Sequence, residues 1–365
     1  MGGAPSSEIP LPAGLPPRGH VLLVSPLTFN YHEVICETLQ RMGYRVTWWD
    51  ERASRNTVYK LALRLMPGVT TQWTAGHFLR ALRELAGEQV THVLVIKGEG
   101  LSRQVVLAMR QQFCDAAMGY YLWDGLDNVR GALGIADVFD SVASFDPVDA
   151  ATHGWHHRPL FSSFVQPGQT VPPAEPKIYD WCFIGTLHSD RHRVIHRLRQ
   201  RGGDRVRSFV FGFSPSWLMM TVRRLTDWTL WTASPGSLST VPLPAREVQG
   251  VVARSAAVLD VEHPRQRGLT MRTIETLMAG HKLVTTNAHV TDSDLYHPSR
   301  AHVISRQAPS IATAFLRQAF EPLAPALRQR YTCEGWLTEL VAWAEAGRGR
   351  RLAAPARRPA QADLA

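Results

Sequence analysis

Short apolar runs alternate with amphipathic stretches of helical length along most of the chain. In the first half the apolar runs have the length of buried strands, and the stretches between them repeat apolar residues every three or four positions. This pattern predicts strands at Val21–Val24, Arg45–Trp49, His92–Ile96, Tyr120–Trp123 and Val138–Phe145, and helices at Tyr31–Arg41, Thr57–Met66, Gly76–Ala86 and Ser102–Phe113. Strands separated by helices in this way are typical of a parallel, doubly wound sheet.

The same alternation starts again after a proline-rich, polar stretch between Val165 and Lys177, which has the composition of a linker. The second series predicts strands at Asp180–Ile184, Val206–Phe211, Ala257–Val261, Lys282–Thr286 and His302–Ile304, and helices at Asp190–Arg201, Trp217–Thr226, Ala245–Arg254 and Thr270–Ala279. The predicted fold class is therefore α/β, with two Rossmann-like, doubly wound parallel-sheet domains. We expect the two domains to face a cleft lined by the loops that follow their strands.

The domain boundaries follow from these patterns. They are a flexible arm over 1–19, an N-terminal Rossmann-like domain over 20–165, a linker over 166–177, a C-terminal Rossmann-like domain over 178–310, amphipathic C-terminal helices over 311–347, and a basic, disordered tail over 348–365.

The composition narrows the function classes. Hydrophobic residues make up 45% and charged residues 19% of the chain, as in ordinary globular proteins. The net charge of +9 is partly due to the arginine-rich tail, and the other arginines are scattered, so nucleic acid is not predicted as a partner. Many of the eleven tryptophans cluster in Trp48–Trp49, Trp217–Trp231 and Trp336–Trp343, where burial against helices is predicted in preference to stacking on a ligand.

The cysteines and histidines predict neither disulfides nor a metal site. The four cysteines stand far apart without a CxxC pair, and the three histidines at 153, 156 and 157 have no carboxylate or cysteine at ligand spacing. No apolar run approaches the roughly 18 residues of a membrane span. The first 19 residues lack the charged-then-apolar order of a signal peptide. These features predict a cytoplasmic protein without a metal.

Candidate chemistry follows the predicted strands. In the second half, Gly185 would let the backbone approach an anion, with Ser189 or Asp190 capping the next helix; the alternative is a simple tight turn. In the first half, His32 at a helix start and Asp124 after a strand are candidate general bases, and the Lys97–Gly100 loop, with Glu99, is a candidate ligand contact. The alternatives are a histidine that caps or packs at the helix start and, for Asp124, an Asx turn.

The helix predicted at Thr270–Ala279 has the most specific pattern. Met271, Ile274, Leu277 and Met278 share its apolar face, whereas Arg272 and Glu275 lie three residues apart on another face, near the positive end of the helix dipole. A cation and helix N–H groups for phosphate, with a carboxylate one turn on for a sugar hydroxyl, are what a nucleotide-sugar donor needs.

These residues also resemble a known family. The segment Glu275–Gly280, followed by Leu283 and Val284, resembles the donor-site signature of GT-B glycosyltransferases. The segments Tyr179–Arg191, Leu259–Asn287 and Phe139–Ala150 are similar to bacterial proteins of capsular or lipopolysaccharide biosynthesis.

The resemblance implies roles for individual residues. Glu275 would bind the ribose, the backbone N–H groups of Gly268, Leu269 and Thr270 would face the diphosphate, and Arg265 and Arg272 would neutralise its charge. The complete set of expected donor-binding residues is Gly185, Thr186, His188, Arg191, Arg265, Gly268, Leu269, Thr270, Arg272 and Glu275. The domain over 178–310 would then be the donor-binding domain and that over 20–165 the acceptor-side domain. No metal and no cofactor other than the donor substrate is implied.

The signature is incomplete. Many retaining members carry a second glutamate eight positions before the first, where this chain has Arg267, and Lys282 stands near the usual proline. An inverting reaction with His32, Asp124 or Glu99 as the base therefore stays open.

The sequence thus predicts transfer of a sugar from a nucleotide sugar to a saccharide or lipid-linked acceptor in surface-polysaccharide biosynthesis. The alternative is a non-catalytic nucleotide- or sugar-binding protein of a polysaccharide assembly system. The basic tail, with 311–331 and 335–346, would either hold the protein peripherally at the inner membrane through anionic lipid or pack onto the first half.

Overall fold

A computed structural model of the chain describes residues 7–9, 18–28, 30–52, 67–129, 131–165, 175–234 and 236–353. Its internal contacts divide the chain into two units. The first unit comprises Met1–Pro159 together with Cys333–Ala365, and the second comprises Leu160–Thr332. The first unit thus ends six residues earlier than the predicted N-terminal domain. It also includes the C-terminal segment from Cys333, which the predicted boundaries place outside that domain.

The first unit is built on a sheet that contains seven strands within the described residues, in the order β1-β3-β2-β4-β5-β6-β7. All pairs are parallel except β1 with β3. The strands are β1 (Ser7–Ile9), β2 (Gly19–Ser25), β3 (Tyr44–Asp50), β4 (His92–Ile96), β5 (Ala117–Leu122), β6 (Ser141–Ser144) and β7 (His156–His157). The central strands are almost continuously apolar and buried, as expected when helices cover both faces of a parallel sheet.

The helices of the first unit are α1 (Tyr31–Arg41), α2 (Pro67–Glu84), α3 (Arg103–Gln112), α4 (Ala132–Ala136), α5 (Pro147–His153) and α12 (Cys333–Ala353). The predicted helix Thr57–Met66 lies outside the described residues. Three residues of the predicted flexible arm, Ser7–Ile9, instead form an edge strand, because they pair with Val46–Trp48 of β3.

The C-terminal helix α12 packs on the central strands of the first unit. Its Trp336, Leu337 and Ala344 are buried, and the Trp336 ring lies perpendicular to that of Tyr121, with centroids 4.9 Å apart. The helix extends into the predicted disordered tail, where Arg351 Nε donates to Asp140 Oδ1 over 2.7 Å. The stretch 335–346 therefore packs onto the first half, and the guanidinium of Arg351 is engaged there instead of being presented to lipid.

The second unit has a parallel sheet of six strands among the described residues, in the order β10-β9-β8-β11-β12-β13. The strands are β8 (Trp181–Thr186), β9 (Ser208–Phe213), β10 (Leu238–Ser239), β11 (Ala257–Asp260), β12 (Lys282–Thr285) and β13 (Ala301–Val303). The strand order reverses between β8 and β11, which makes the loops after these two strands the expected place for a ligand.

The helices of the second unit are α6 (Arg191–Gly202), α7 (Trp217–Thr226), α8 (Ala245–Ala253), α9 (Met271–Met278), α10 (Thr313–Arg317) and α11 (Pro325–Arg330). The predicted amphipathic stretch Ile311–Tyr331 is thus two short helices. The first of them, α10, is held near β12 by Lys282, whose Nζ donates to the carbonyl oxygens of Phe315 and Leu316 over 2.6 and 2.9 Å. No helix in the described ranges is long and apolar enough to cross a membrane.

The prediction of buried tryptophans is wrong for one cluster. Trp181 and Trp336 are buried, but Trp217, Trp228 and Trp231 are each about two-thirds exposed, at 67%, 66% and 65%. The reason is that α7 and the 3₁₀ helix Trp228–Thr232 bury only two of their apolar side chains, Met220 and Leu230. These two pack with Leu187 of the loop after β8.

Candidate functional site

Arg191 joins the two loops at the strand-order reversal of the second unit. It is the first residue of α6, and its guanidinium donates from Nη1 to the Thr186 carbonyl over 2.9 Å and from Nε to the Val261 carbonyl over 2.5 Å. These carbonyls end or follow β8 and β11. Arg191 therefore fixes the spacing of the two loops, and within the described residues its Nη2 has no hydrogen-bond partner.

A second cation lies close to Arg191. Burial lowers the pKa of Arg191, the charge of Asp260 raises it, and the charge of Arg272 lowers it again. Arg272 is half-buried on the first turn of α9, and no carboxylate among the described residues forms an ion pair with it. A half-buried guanidinium beside another cation is costly without an anion, which makes this position a candidate anion site.

His188 adds a neutral donor or acceptor to the same place. Burial, followed by the charges of Arg191, His263 and Arg223, lowers its pKa to about 4 against the opposing charge of Asp260. The ring centroids of His188 and His263 lie 6.2 Å apart. The next residue, Ser189, has a φ of 48°, a left-handed conformation that is strained for a residue with a side chain. The loop after β8 is thus held in a specific, unfavourable shape.

The N-terminus of α9 is fixed by a buried carboxylate that sequence patterns missed. Asp260, at the end of β11, accepts from the hydroxyls of Thr270 and Thr273 over 2.5 and 2.8 Å. Thr270 in turn caps the helix by accepting from the Thr273 N–H over 3.0 Å. Asp260 therefore places the positive end of the helix dipole at the carboxyl edge of the sheet.

Glu275 lies one turn further along α9. Its Oε1 accepts from the Ser163 hydroxyl over 2.6 Å. Burial raises the pKa of Glu275, and the Ser163 hydrogen bond and the charge of Arg272 lower it. The carboxylate is thus engaged by a hydroxyl group, which is the kind of partner that a ribose would supply.

The loop between β11 and α9 carries the remaining expected residues. Gly268 and Leu269 are buried, and the buried Asn287 donates from Nδ2 to the carbonyls of Arg267 and Gly268 over 3.1 and 3.2 Å. Arg265 is exposed on the same loop. Arg191 thus lies close enough to His188 and Arg272 for their charges to interact. The 265–270 loop joins β11 to α9.

The positions of Gly185 and Thr186 differ from the prediction. They form the end of β8, paired with Gly212 and Phe213, instead of a loop, because the strand continues for two more residues than its apolar run. Gly185 has no positive φ, and a Cβ there would make only a tight contact with Phe183. Asp190 is the N-cap residue of α6 but does not cap with its side chain.

Asp190 is instead bound by Arg306, which sequence patterns did not indicate. Arg306 donates from Nη1 to Asp190 Oδ1 over 2.8 Å and from Nη2 to the Glu262 carbonyl over 2.7 Å, and it also pairs with the Glu262 carboxylate. Glu262 is buried and accepts from the Thr286 hydroxyl over 2.6 Å. Arg306 thus joins the loops after β8 and β11 through the side chains of Asp190 and Glu262. Arg191 joins the same two loops through backbone carbonyls.

In the first unit, two of the three candidate bases share one cation. Lys97 Nζ lies 3.1 Å from Asp124 Oδ2 and 3.3 Å from Glu99 Oε2. Arg52 Nη2 donates to Glu99 over 3.2 Å. Burial raises the pKa of Glu99, but Lys97 and Arg52 lower it to a net value below the ordinary one. The centroid of the His32 ring lies 4.7 Å from that of the Trp48 ring, and His32 Nε2 lies 4.0 Å from Glu33 Oε1.

The loop that carries Lys97 and Glu99 has a demanding backbone. Lys97 and Gly98 both have a left-handed φ, of 67° and 69°, and the Tyr120 hydroxyl donates to the Lys97 carbonyl over 2.7 Å. A Cβ on Gly100 would lie 2.0 Å from the Glu51 carbonyl oxygen. Only glycine allows this approach, so the loop is built to hold its charges at the ends of β3, β4 and β5.

Glu51 is the buried member of this group. Its Oε2 accepts from the Glu99 N–H over 3.0 Å, whereas Oε1 has no hydrogen-bond partner in the described part of the chain and lies 3.9 Å from Arg52 Nε. Burial raises the pKa of Glu51 from 4.5 to about 7, although Lys97 and Arg52 oppose the shift.

The substitution Glu51→Gln is expected to change the pH dependence of stability. Since the folded state holds the Glu51 proton more tightly, the wild-type free energy of unfolding falls as pH rises from 4.5 to about 7, by about 3 kcal/mol from this group. Glutamine removes that loss. Urea unfolding should show that the free energy of unfolding of the variant, relative to wild type, is higher at pH 8 than at pH 4.5.

Glu99→Gln is the matched control for that measurement. The pKa of Glu99 is lowered, so its carboxylate stabilises the fold above pH 4.5, and its removal should have the opposite sign. A parallel pH dependence of the Glu51→Gln variant and wild type would show that Glu51 is already ionised in the folded state at neutral pH.

Comparison with known proteins gives the fold. No protein-family model matches the chain, and no curated protein matches it. The chain is similar to the solved structure of alpha,alpha-trehalose 6-phosphate synthase from Burkholderia multivorans, with 12% identity and a TM-score of 0.53 over 92% of this chain and 96% of that one. It is also similar to Anabaena Alr3699/HepE in complex with UDP-glucose, with 8% identity and a TM-score of 0.51 over 92% and 99%. A third similar structure is UDP-GlcNAc 2-epimerase from Methanocaldococcus jannaschii, with 9% identity and a TM-score of 0.51 over 88% and 99%.

At these identities the likeness concerns the fold. The chain has the GT-B type of fold with two Rossmann-like α/β domains, and the predicted fold class is confirmed. Among the described residues, no group of three histidine, cysteine, aspartate or glutamate side chains is arranged to hold a metal ion.

Proposed function

We propose that this protein transfers a sugar, of hexose type, from a nucleotide-sugar donor to a saccharide or lipid-linked acceptor. The observation that carries the proposal is the first turn of α9, where Arg272 lacks an anionic partner among the described residues and Glu275 binds a hydroxyl group, at the strand-order reversal of a Rossmann-like sheet.

The donor is proposed to bind with its diphosphate against Arg272, Arg191 Nη2 and the N-terminus of α9. Negative charge grows on the diphosphate as the sugar leaves, and cations that are already fixed stabilise it without reorganisation. Arg191 is fixed by two carbonyls, and α9 is fixed by Asp260. These groups make a metal unnecessary for the leaving group, so we propose a metal-independent reaction.

The ribose is proposed to take the place of the Ser163 hydroxyl on Glu275. A carboxylate that already accepts from a hydroxyl at 2.6 Å needs little rearrangement to accept from another. UDP-glucose in the similar Alr3699/HepE structure and UDP-GlcNAc in the name of the similar epimerase make uridine nucleotides the first donors to test.

For an inverting reaction, Asp124 is a stronger base candidate than Glu99, and His32 remains the alternative. The Asp124 side chain is 38% exposed, and Lys97 is its one ion-pair partner among the described residues. Glu99 is 18% exposed, and its pKa is lowered. A lowered pKa makes Glu99 a weaker base. The acceptor belongs to surface-polysaccharide biosynthesis in this proposal, on the similarity of the segments Tyr179–Arg191 and Leu259–Asn287 to such proteins, and the site of action would be the cytoplasm at the inner membrane.

The substitution Glu275→Ala tests the donor assignment. We expect the affinity for uridine diphosphate, or for whichever nucleoside diphosphate binds best in a panel, to fall about 30-fold by calorimetry, since a charged hydrogen bond to ribose is lost. Ser163→Ala is the matched control, because it removes the internal partner and keeps the carboxylate. That control should bind at least as tightly as wild type.

The same protein samples decide between transfer and the alternatives. Hydrolysis or transfer of a nucleotide sugar by wild type, lost in Glu275→Ala, supports a transferase. Binding without any turnover over the whole panel would favour the non-catalytic sugar-nucleotide-binding protein, and interconversion of UDP-GlcNAc with its 2-epimer would favour an epimerase. Unchanged nucleotide affinity in Glu275→Ala would overturn the site assignment itself.

A further inference from the structure

The second unit exposes a continuous set of large apolar side chains. They lie on α7 and on the 3₁₀ helix Trp228–Thr232, and each is at least half exposed. This exposed apolar face consists of Trp217, Leu218, Val222, Leu225, Trp228 and Trp231. Leu218, Val222 and Leu225 follow the i, i+4, i+7 spacing of a single helix stripe.

The elements that carry this face are held firmly in place. Met220 and Leu230 pack with Leu187 in a small buried cluster. The buried Asp227 caps the 3₁₀ helix by accepting from the Thr229 N–H over 3.1 Å, and Arg193 Nε of α6 pairs with the same carboxylate at 3.1 Å. The apolar side chains are therefore presented outward by anchored helices, and their exposure is a property of the fold.

Such a face is unfavourable unless something covers it. Burying one large apolar side chain yields about 1.5–3 kcal/mol, and soluble monomers rarely leave contiguous apolar patches exposed unless the patch binds a partner. The exposed side chains are not part of the buried apolar cluster of these two helices, which Met220 and Leu230 form with Leu187.

The charge around the face indicates which partner fits. Residues 191–232, which include α6 and α7, contain nine arginines and two aspartates, with no lysine or glutamate. One aspartate, Asp227, is buried and paired. Arg224 lies over the Trp231 ring, 5.3 Å from its centroid, and accepts the indole N–H at its carbonyl over 2.9 Å. Of the nine arginines, Arg223 and Arg224 lie on α7 itself and form no ion pair among the described residues. Tryptophan and leucine next to such basic side chains are typical of elements that lie in the interface of anionic membranes.

We propose that the exposed apolar face binds the surface of an anionic lipid bilayer. The tryptophan and leucine side chains enter the headgroup region, and Arg223 and Arg224 of α7 bind lipid phosphates. A protein partner would have to supply a matching acidic, apolar groove, whereas an anionic bilayer offers both features over any area.

This surface adjoins the loop after β8. Leu187 of that loop packs under Met220, and the charge of Arg223 contributes to the lowered pKa of His188 after burial, Arg191 and His263. Membrane contact would thus bring the His188 loop next to the lipid surface, where a lipid-linked acceptor resides. The membrane contact itself is independent of the proposed sugar transfer.

Vesicle binding tests the inference. The full-length protein is sedimented with vesicles of phosphatidylcholine alone and of phosphatidylcholine with phosphatidylglycerol. We expect binding to the anionic vesicles, weakened by salt, with a blue shift of tryptophan fluorescence. The double variant Leu218→Ser/Leu225→Ser should bind at least tenfold more weakly, and Arg223→Glu/Arg224→Glu should lose the preference for anionic lipid.

Leu133→Ser is the matched control, because Leu133 is an exposed leucine, 56% accessible, on α4 of the first unit. It should bind vesicles like wild type. Circular dichroism and nucleotide affinity should be unchanged in the double leucine variant, which separates this inference from the proposed function.

Two results would overturn the inference. One is absence of binding to anionic vesicles by wild type. The other is equal binding by wild type and the double leucine variant. Concentration-dependent dimers of wild type that the leucine substitutions abolish, without vesicle binding, would show instead that a second copy of the chain covers the face.

Discussion

Replacing Arg272 by methionine is expected to lower the affinity for a nucleoside diphosphate about 100-fold and to abolish measurable sugar transfer. Methionine keeps much of the apolar stem of arginine and removes the charge. Charge-assisted hydrogen bonds between a guanidinium and phosphate contribute about 1.5–3 kcal/mol. The loss in transfer should exceed the loss in binding, because the charge on the diphosphate grows as the sugar leaves.

The surroundings of Arg272 explain why its effect should be so large. No carboxylate in the described ranges pairs with it, and its charge lowers the pKa of the neighbouring Arg191. The free protein therefore holds Arg272 near a second cation, whose charge Asp260 opposes, and a bound diphosphate would supply Arg272 with an opposite charge in addition to new hydrogen bonds. In the methionine variant, that attraction is absent as well as the hydrogen bonds.

Arg246→Met is the control, because Arg246 is exposed on α8 and has no role in the proposed site. Both variants are compared with wild type by calorimetry at low and moderate salt. Arg246→Met should shift the affinity less than twofold, with a salt dependence like that of wild type. If Arg272→Met bound diphosphate as tightly as Arg246→Met, the anion site would have to lie elsewhere.

Much of the fold could be predicted from the sequence because hydrophobic periodicity is a local signal. The strands β4 and β8 and the helices α1 and α9 lie within a few residues of their predicted ranges. The short edge strand β7, His156–His157, and the early strand β1 were missed. Such edge strands are defined by pairing with a neighbour and contain too few residues for a periodic pattern.

The candidate site was predictable only where its residues are close in sequence. Arg272, Glu275 and Thr270 share one helix and one apolar pattern, so their relation could be read from spacing. Ser163 lies 112 residues from Glu275, and Arg306 lies 44 residues from Glu262. Contacts over such separations depend on how the strands are ordered in the sheet, which a single sequence does not specify.

The prediction that Trp217, Trp228 and Trp231 are buried is wrong for a different reason. Tryptophan is usually counted as a core residue because it is large and mostly apolar. On α7 and the 3₁₀ helix after it, however, the apolar residues that pack against the loop after β8 are Met220 and Leu230, in a cluster with Leu187. The exposed apolar face could have been suspected from the two arginines at 223 and 224 between its tryptophans, since charges inside a core segment are costly.

Replacing Arg306 by methionine is expected to destabilise the second unit by about 3 kcal/mol. Arg306 is 21% exposed and pairs with the carboxylate of Glu262, which is 5% exposed, and also with Asp190. Removing one member of a buried pair leaves an uncompensated charge, which costs about 3–5 kcal/mol. The partial exposure of Arg306 places the expected value at the lower end. Urea unfolding at pH 7 measures the loss.

The pH dependence and a double variant identify the cause. Burial raises the pKa of Glu262, and Arg306 opposes that rise, so the folded-state pKa should rise further in Arg306→Met. When the folded-state pKa of a carboxyl is raised, the protein loses stability as pH rises above the ordinary carboxyl pKa of 4.5. The deficit of Arg306→Met should therefore be small below pH 4.5 and grow towards neutral pH.

Glu262→Gln/Arg306→Met should recover most of that stability, because no buried charge remains and the glutamine oxygen can still accept from Thr286. Nucleotide affinity should stay below wild type in the double variant, since Asp190 and Glu262 are no longer joined and the loops after β8 and β11 lose their shared support. Recovery of affinity together with stability would mean that Arg306 stabilises the fold without positioning the loops. A deficit that is constant across pH would show that lost packing, and not the unpaired carboxylate, explains the effect of the arginine.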